Sequence, residues 1–167
     1  MSVALPSFDS PYFRAALGRF ATGVTIVTAH KDEQSPIGLT VSSFNSVSLD
    51  PPLVVWSLSR SSSSLATMEH CDRYVIQVLS SDQMSLANKF ARGTHAERFA
   101  DIAVTRAPGG TPRVDLNCAA WFECYNRSRY DEGDHVIFVG QVEHCGYSEA
   151  LPLVYHAGSY DLTPKAS

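Results

Sequence analysis

The stretch IGLTVSSFNSVSLDPPLVVWSL, residues 37–58, decides the fold. It holds three short runs rich in β-branched and aromatic residues, separated by turn-forming Asn, Asp and Pro. Proline donates no backbone hydrogen bond and restricts the residue before it, so Asp50-Pro51-Pro52 predicts a corner. The run VTIVTA at residues 24–29 has the same texture. The sequence therefore predicts successive short strands, spaced as in a barrel.

Short helices are predicted around these strands. One opens at Asp9 or Ser10, because either side chain can cap the first backbone amides. Apolar residues then recur at helical spacing, which predicts an amphipathic helix. They are Phe13, Ala16, Leu17 and Phe20. A second helix is predicted after the RSSSS run at 60–64, and a third is predicted to be capped by Ser81 or Asp82.

Two longer strands are predicted nearer the C-terminus, at residues 118–125 and 135–145. The polar segment SRYDEGD, residues 128–134, is typical of a hairpin connection, and the tail at 151–163 is predicted to be extended. Six or seven strands with two or three helices do not alternate as βαβ units, and no GxGxxG follows a strand. The pattern predicts one α+β, mainly β domain over residues 1–167 and disfavours a Rossmann dehydrogenase.

Composition limits the classes of function. The chain has 44% hydrophobic and 18% charged residues, which suits a folded core rather than a disordered chain. A formal charge of -4 leaves no excess of positive charge for nucleic acid. No apolar run approaches the roughly 18 residues that span a bilayer, and the N-terminus lacks the charged start of a signal peptide. We therefore expect a cytoplasmic protein that binds neither nucleic acid nor membrane.

Motifs of metal and hydrolytic chemistry are lacking in the sequence. The four cysteines form no CxxC pair, and the six histidines do not combine with them at zinc-site spacing. The sequence also has no GxSxG, HExxH or P-loop pattern. No metal site is expected, and hydrolysis or phosphoryl transfer has no positive support.

Four polar segments are candidate binding elements. PIGLTVSS at 36–43 places a glycine and hydroxyls at a strand end, although an ordinary strand with polar outward positions is the simpler interpretation of the segment alone. The RSSSS run at 60–64 offers a guanidinium, hydroxyls and a helix start to a phosphate, or is a solvated turn. The GDH triplet at 133–135 and His156 place imidazoles near turns, where a solvent-facing histidine is the simpler interpretation.

Six segments follow one another in an informative order. FRAALGRFATGVTIVTA precedes GLTVSSFNSVSLDPPLVVWSL, a serine-rich helix start, YVIQVL, LANKFA and GDHVIFVGQVE. This succession resembles the flavin reductase family, over a core from about Phe13 to Tyr160. It is similar to the small reductase components of two-component aromatic monooxygenases. The resemblance implies an FMN-binding split β-barrel, Greek-key-like, with short flanking helices, that forms a homodimer with the flavin near the subunit interface.

The resemblance also implies which residues hold the flavin. The GLT and SS segments, with the residues that lead into them, correspond to contacts with the ring and ribityl chain. The strand end near Ser57 and the following serines match the ribityl and phosphate region, and a lysine and a phenylalanine match a helix-end contact. The implied flavin contacts are Pro36, Ile37, Gly38, Leu39, Thr40, Ser42, Ser43, Ser57, Leu58, Ser59, Ser63, Ser64, Lys89 and Phe90. Arg60 is a further implied phosphate partner.

The nicotinamide side of the implied site centres on His135, which the resemblance makes the catalytic candidate. The segment His156, Ala157, Gly158 and Ser159 corresponds to a terminal dinucleotide-contacting stretch, although YHAGSY differs here from the motif of many relatives. The implied activity is an NAD(P)H:flavin oxidoreductase, with NADH preferred over NADPH, that reduces FMN or FAD for a monooxygenase. The alternatives are a flavin-binding or electron-relay module without NAD(P)H oxidation and, third, a relative of pyridoxamine phosphate oxidase.

Overall fold

The computed structural model describes residues 5–32 and 35–161, which contain four helices and twelve strands. The helices are α1 (Ser10–Leu17), α2 (Leu65–His70), α3 (Met84–Phe90) and α4 (His95–Phe99). The first six strands are β1 (Thr22–Gly23), β2 (Thr25–His30), β3 (Pro36–Val41), β4 (Asn45–Leu49), β5 (Pro52–Ser59) and β6 (Arg73–Val78). The others are β7 (Val104–Arg106), β8 (Pro112–Val114), β9 (Ala120–Glu132), β10 (His135–Tyr147), β11 (Val154–His156) and β12 (Ser159–Asp161).

Seven strands form one antiparallel sheet in the order β3-β2-β6-β9-β10-β5-β4. Side chains from β2, β3, β5, β6, β9 and β10 meet in one buried cluster, so the sheet curls round a common core. Ser43, just after β3, hydrogen-bonds the backbone of Ser57 on β5 and links two non-adjacent parts of the curled sheet. The architecture is mainly β with short helices, which confirms the predicted fold class.

Aromatic rings fill the centre of this core. The side chain of Trp56 has no exposed surface; its ring stacks on Phe138 with centroids 4.5 Å apart and meets Tyr74 edge-on at 5.5 Å. Along β5, Val54, Trp56 and Leu58 are buried, and the residues between them are half-buried. This period of two is the pattern of a strand with one face turned to the core.

A second apolar layer covers the outer side of β2. Val24 and Ile26 face it, and Ala87 and Phe90 of α3 and Leu153 near the terminal hairpin pack against them. Strand β2 is therefore buried on both faces, which explains why VTIVTA reads as a nearly continuous apolar run.

Two helix predictions are confirmed and one is corrected. Helix α1 begins as predicted, with the Asp9 carboxylate accepting a hydrogen bond from the Tyr12 amide at 2.9 Å, and α2 begins after the serine run. The third helix begins at Met84 rather than at a Ser81 or Asp82 cap. The residues before it form a turn instead, in which Ser80 bonds the side chains of Asp82 and Gln83.

Helix α4 was not predicted. Its signal is present in the sequence as a capping box, in which Thr94 and Glu97 exchange side-chain and backbone hydrogen bonds. The chain turns between α3 and α4 at Gly93, whose φ of 68° is in the left-handed region that favours glycine.

The long β9–β10 hairpin corrects another prediction. The connection predicted at 128–134 is mostly strand, because β9 continues to Glu132 and only Gly133 and Asp134 form the turn. Polar residues continue along β9 because its outer positions are exposed to solvent. The predicted extended tail contains the β11–β12 hairpin, while residues 162–163 lie outside the described part of the chain.

Two further observations concern the surface and the cysteines. No helix within residues 5–32 and 35–161 combines the length and apolarity needed to cross a bilayer. All four cysteines are free; Cys118 and Cys124 are buried, Cys71 is half-buried and Cys145 is exposed.

Candidate functional site

A cavity of about 210 Å³ lies beside the outer face of β3, and we call it the β3 cavity. Two tyrosines of the β11–β12 hairpin form one wall, with ring centroids 5.4 Å apart, and hydroxyl-bearing residues of the β3 segment form another. Its lining residues are Val24, Thr40, Ser42, Ala91, Tyr155 and Tyr160. Aromatic rings beside a few hydroxyls suit a flat heterocycle with a polar edge.

The side chains of β3 divide between its two faces. Ile37 and Leu39 point into the barrel core, so only their backbone is available to a ligand, and the same holds for Leu58 on β5. Thr40 is on the outer face, where its hydroxyl donates to the Ala87 carbonyl at 2.6 Å. Of the flavin contacts implied in this segment, Thr40 and the exposed Ser42 therefore line the β3 cavity, while Pro36 is half-buried at the far end of the strand.

Gly38 has a packing role that the sequence did not reveal. A Cβ at this position would approach Phe90 to 2.7 Å and Phe99 to 3.0 Å, closer than carbon atoms approach without displacement. The two rings lie edge to face with centroids 5.0 Å apart and cover the outer side of the strand. Glycine is therefore needed here for the close approach of α3 and α4.

Phe90, which the resemblance implies as a flavin contact, is completely buried in this protomer. Its side chain is enclosed by the second apolar layer. The helix-spacing argument placed it on the inner side of α3 but did not show how completely α4 would close over it.

Arg98 of α4 is a residue that the sequence analysis missed. Its guanidinium donates to the carbonyls of Arg92 at 3.0 Å, Gly93 at 3.0 Å and Gly38 at 2.8 Å. One side chain thus joins the α3–α4 connection to β3, sixty residues away in the chain. Five fixed N–H donors make arginine suited to such a clamp. No local pattern predicts the Gly38 contact, because it depends on tertiary packing.

The serine-rich segment lies at the end of β5. The hydroxyls of Ser59 and Ser61 are 2.9 Å apart, and the Ser43 hydroxyl accepts from the Ser57 amide at 2.9 Å. Ser63 is exposed. This segment therefore presents several hydroxyls to solvent beside the start of α2.

Ser64, which the resemblance implies as a flavin contact, is buried in this protomer. It is 1% exposed, and its hydroxyl is 3.2 Å from Nε2 of His95 on α4. Burial, followed by the charge of Arg98, lowers the pKa of His95 from its ordinary value. Ser64 and a neutral His95 form a buried link between α2 and α4.

Lys89 lies in the last turn of α3, where its ammonium donates to the carbonyl of Ala100. An ammonium has three donors, so this contact leaves two for a phosphate. Arg60, by contrast, pairs with Asp131 at 2.7 Å and is engaged on the hairpin.

His135 begins β10 directly opposite Ser59 of β5. Its Nδ1 is 2.7 Å from a carboxylate oxygen of Asp134, and this hydrogen bond lowers the pKa of Asp134 below its ordinary value. An ionised carboxylate only accepts, so Nδ1 carries the hydrogen and Nε2 is left free. The backbone amide of Arg60 also donates to the Asp134 carbonyl at 2.9 Å, which ties the GDH turn to the serine-rich segment.

The hairpin of β11 and β12 turns at Ala157 and Gly158, both with positive φ. The Ala157 amide donates to the Gly18 carbonyl at 2.9 Å, which seats the hairpin tip on the end of α1. Nδ1 of His156 is 3.6 Å from Asp161 across the hairpin, and Ser159 donates to the His156 carbonyl. Within one protomer, no hydrogen bond or ion pair between described residues joins this hairpin to His135.

Comparison with known proteins shows the family of the chain. The model of the flavin reductase like domain matches residues 17–163. The FMN reductase (NADH) SmoA of Agrobacterium fabrum is 43% identical over 152 residues, which cover 91% of this chain and 85% of that protein. The reductase component of the flavin-dependent trigonelline monooxygenase of Acinetobacter baylyi is 37% identical over 92% of this chain. The chain spans about half of that relative, 49% of its length.

A solved structure gives the same result for the fold. The NADH:FAD oxidoreductase SgcE6 of Streptomyces globisporus, in complex with NAD and FAD fragments, superposes with a TM-score of 0.87 and 27% identity. The match covers 99% of this chain and all of that one. The chain belongs to the flavin reductase family, and both the family and the split-barrel fold predicted from the sequence are confirmed.

Proposed function

We propose that this chain is an NADH:flavin oxidoreductase that reduces FMN or FAD and supplies the reduced flavin to a partner monooxygenase. The observation that carries the proposal is the β3 cavity, where two tyrosine rings meet the hydroxyl-bearing residues Thr40 and Ser42. The enzyme class and cofactors agree with the names of the relatives, which include an FMN reductase (NADH) and an NADH-dependent flavin reductase. These names favour the enzyme over a flavin-binding module without NAD(P)H oxidation.

The chain's own residues divide the task of holding the flavin. A bound flavin supplies the redox chemistry, since it accepts a hydride from the nicotinamide. Tyr155 and Tyr160 offer ring faces to the heterocycle, and Thr40 and Ser42 offer its edge hydrogen bonds. The exposed Ser63 and the ammonium of Lys89 lie on the α2 and α3 side and are proposed to bind the phosphate.

His135 is proposed to orient the nicotinamide. Its Nδ1–H is held by Asp134, so the ring is fixed and its free Nε2 faces away from that carboxylate. Orientation of two reactants is enough to accelerate hydride transfer, and no proton transfer by the histidine is required.

We also propose that the protein acts as a homodimer in which the second copy completes the site. The β3 cavity of about 210 Å³ is smaller than the roughly 300–1,000 Å³ of most small-molecule sites, so one protomer encloses only part of a flavin. Apolar residues of α1 remain exposed, and they supply a surface for a second copy. The proposed location is the cytoplasm, where NADH is available.

Steady-state oxidation of NADH and NADPH, each with FMN, FAD and riboflavin, tests the proposed function. We expect rapid NADH oxidation with FMN or FAD and a lower affinity for riboflavin, which lacks the phosphate. Tight flavin binding without oxidation of either nicotinamide would favour the binding module instead.

Replacement of His135 by alanine tests the orienting role. We expect kcat/KM for NADH to fall by about one to two powers of ten, equivalent to about 1.4–2.7 kcal/mol, with little change in flavin affinity. His144→Ala is the matched control, because His144 is exposed further along the same strand. Unchanged kinetics in folded His135→Ala protein would remove the assigned role.

A further inference from the structure

Arg92 follows directly after a residue of the β3 cavity, and nothing in the flavin assignment above uses it. Helix α3 ends at Phe90, and Ala91, the residue that caps it, lines the cavity. Arg92 is the next residue, and its carbonyl accepts a hydrogen bond from Nε of Arg98 at 3.0 Å. The backbone that carries Arg92 is therefore held in place at the end of this wall.

The guanidinium of Arg92 is not neutralised within one protomer. The residue is exposed, and its side chain has no hydrogen bond or ion pair with any residue of the described ranges 5–32 and 35–161. Arg60 and Arg73, in contrast, are each paired with a carboxylate. Arg92 therefore keeps a full positive charge and all five of its N–H donors.

This charge acts on a group in the cavity wall. Tyr160 of β12 lines the β3 cavity. Burial, followed by the neighbouring Tyr155, raises the pKa of Tyr160, and the positive charge of Arg92 opposes that rise. A cation that favours the negative form of a hydroxyl in the wall also favours negative charge on a ligand beside that wall. Arg92 therefore makes the electrostatic potential of the cavity more positive.

The reaction creates negative charge in the ring that the proposed function places in this cavity. Hydride transfer breaks the C4–H bond of the dihydronicotinamide and forms an N5–H bond on the flavin, so two electrons and one proton move together. The nicotinamide gains a positive charge. The flavin ring, which is neutral when oxidised, becomes an anion whose charge is shared by N1 and the C2 carbonyl. A fixed cation near the ring therefore stabilises the product of this step more than its reactant.

We propose that Arg92 stabilises the negative charge that the flavin ring acquires on reduction, and that it thereby raises the affinity of the site for reduced flavin relative to oxidised flavin. The inference rests on the proposed function, which places the ring at the β3 cavity. The flavin phosphate is also an anion, but it carries its charge in both redox states. A contact with the phosphate would therefore change both affinities alike, and the experiment separates the two sources of negative charge.

The test compares Arg92→Gln and Arg92→Lys with wild type in the full chain, with FMN as the flavin. Arg127→Gln is the matched control, because Arg127 is an exposed arginine whose side chain bonds the neutral Gln141. It lies on β9, which β2 and β6 separate from β3 in the sheet. Flavin fluorescence gives the dissociation constant of oxidised FMN. An anaerobic reductive titration against a redox dye gives the midpoint potential of bound FMN, and the two values together give the dissociation constant of reduced FMN.

The expected result is a loss of affinity for reduced FMN alone. In Arg92→Gln, oxidised FMN should bind as in wild type and reduced FMN about tenfold more weakly, which lowers the two-electron midpoint potential by about 30 mV. Arg92→Lys keeps the charge and should recover most of the shift, and Arg127→Gln should show none. An unchanged potential in Arg92→Gln overturns the inference. Equal weakening of both redox forms, or an equal shift in Arg127→Gln, overturns it as well.

Failure of the proposed function has a different signature. Both measurements are made without a nicotinamide, so a wild-type protein that binds FMN but oxidises neither NADH nor NADPH refutes the proposed activity and leaves the result for Arg92 standing. A wild-type protein that binds no flavin overturns both.

Discussion

The barrel core and helix α1 contain the same kinds of apolar side chain in opposite surroundings. Trp56, Tyr74 and Phe138 have no exposed surface, whereas Phe13, Leu17 and Phe20, on α1 and just after it, are 48%, 58% and 72% exposed. Both sets follow the periodicity of their secondary structure. Periodicity therefore shows which residues share a face, but what covers that face depends on the rest of the structure.

The difference also has an energetic meaning. Burial of core side chains stabilises the fold by roughly 25 cal/mol per Å² of apolar surface removed from water. Helix α1 has no buried residue, so it adds little of this stabilisation to a single protomer. Contiguous exposed apolar residues are characteristic of a surface that a partner covers. The barrel should therefore determine whether the protomer folds, and α1 whether protomers associate.

The largest expected effect comes from Trp56→Ala in the core. It removes the stacking on Phe138 and leaves a cavity, so we expect the free energy of unfolding to fall by about 3–5 kcal/mol in urea titration. Tyr147→Ala is the control, because Tyr147 is 86% exposed and its loss should change stability little. Equal effects of the two variants would contradict the distinction between core and surface.

Arg98→Gln tests whether the hydrogen bonds of this arginine hold α4 against β3. The variant loses donors to the carbonyls of Gly38 and Gly93, and we expect about 1–3 kcal/mol lower stability, with weaker flavin binding. Arg92→Gln removes an exposed arginine of the same connection and is the control for stability, which it should leave unchanged. A variant with wild-type stability would show that α4 is held by its apolar contacts alone.

Leu17→Ser on α1 is expected to weaken self-association without unfolding the protomer. The dimer dissociation constant should rise at least about tenfold, or about 1.4 kcal/mol, in analytical sedimentation, while the thermal midpoint of the diluted protomer stays the same. Leu49→Ser, at a residue that is 95% exposed on β4, is the comparison outside α1. A wild-type protein that is monomeric at micromolar concentration would refute the proposed role of this helix.

The smallest expected effect is the pH dependence of stability that His95 causes. His95 is half-buried at the start of α4. Burial lowers its pKa from the ordinary value of 6.5, so the unfolded chain binds a proton more readily than the folded one. The contribution of His95 is therefore complete above about pH 6.5 and is lost as pH falls through the lower, folded-state pKa. In urea titrations from pH 7 downwards, His95→Asn should lose less stability than wild type. His70→Asn, at an exposed histidine of α2, is the control for loss of a histidine that is not buried.

Local signals predicted much of the fold. The strands around residues 37–58 and the Asp9 cap follow from residues close together in the chain. The predicted start of α3 was wrong because Ser80 and Gln83 are hydrogen-bonded in a turn before the helix. The predicted hairpin loop is strand because the polar residues of β9 lie on its exposed face.

The candidate site was less predictable because its geometry depends on distant contacts. The resemblance implied Thr40 and Ser42, which line the β3 cavity, and it also implied Phe90 and Ser64, which are buried. Their burial depends on α4, which closes over β3 through an arginine sixty residues away. Spacing along the chain carries no information about such a contact.

Tyr155 and Tyr160 of the β11–β12 hairpin line the β3 cavity, and the hairpin tip at Ala157 and Gly158 lines a second cavity beside α1. A ligand that moves the hairpin in one cavity changes the shape of the other. By linkage, if a ligand in the cavity beside α1 alters flavin affinity by some factor, the flavin alters the affinity of that ligand by the same factor. Because one hairpin borders both cavities, any such coupling between ligands acts equally in both directions.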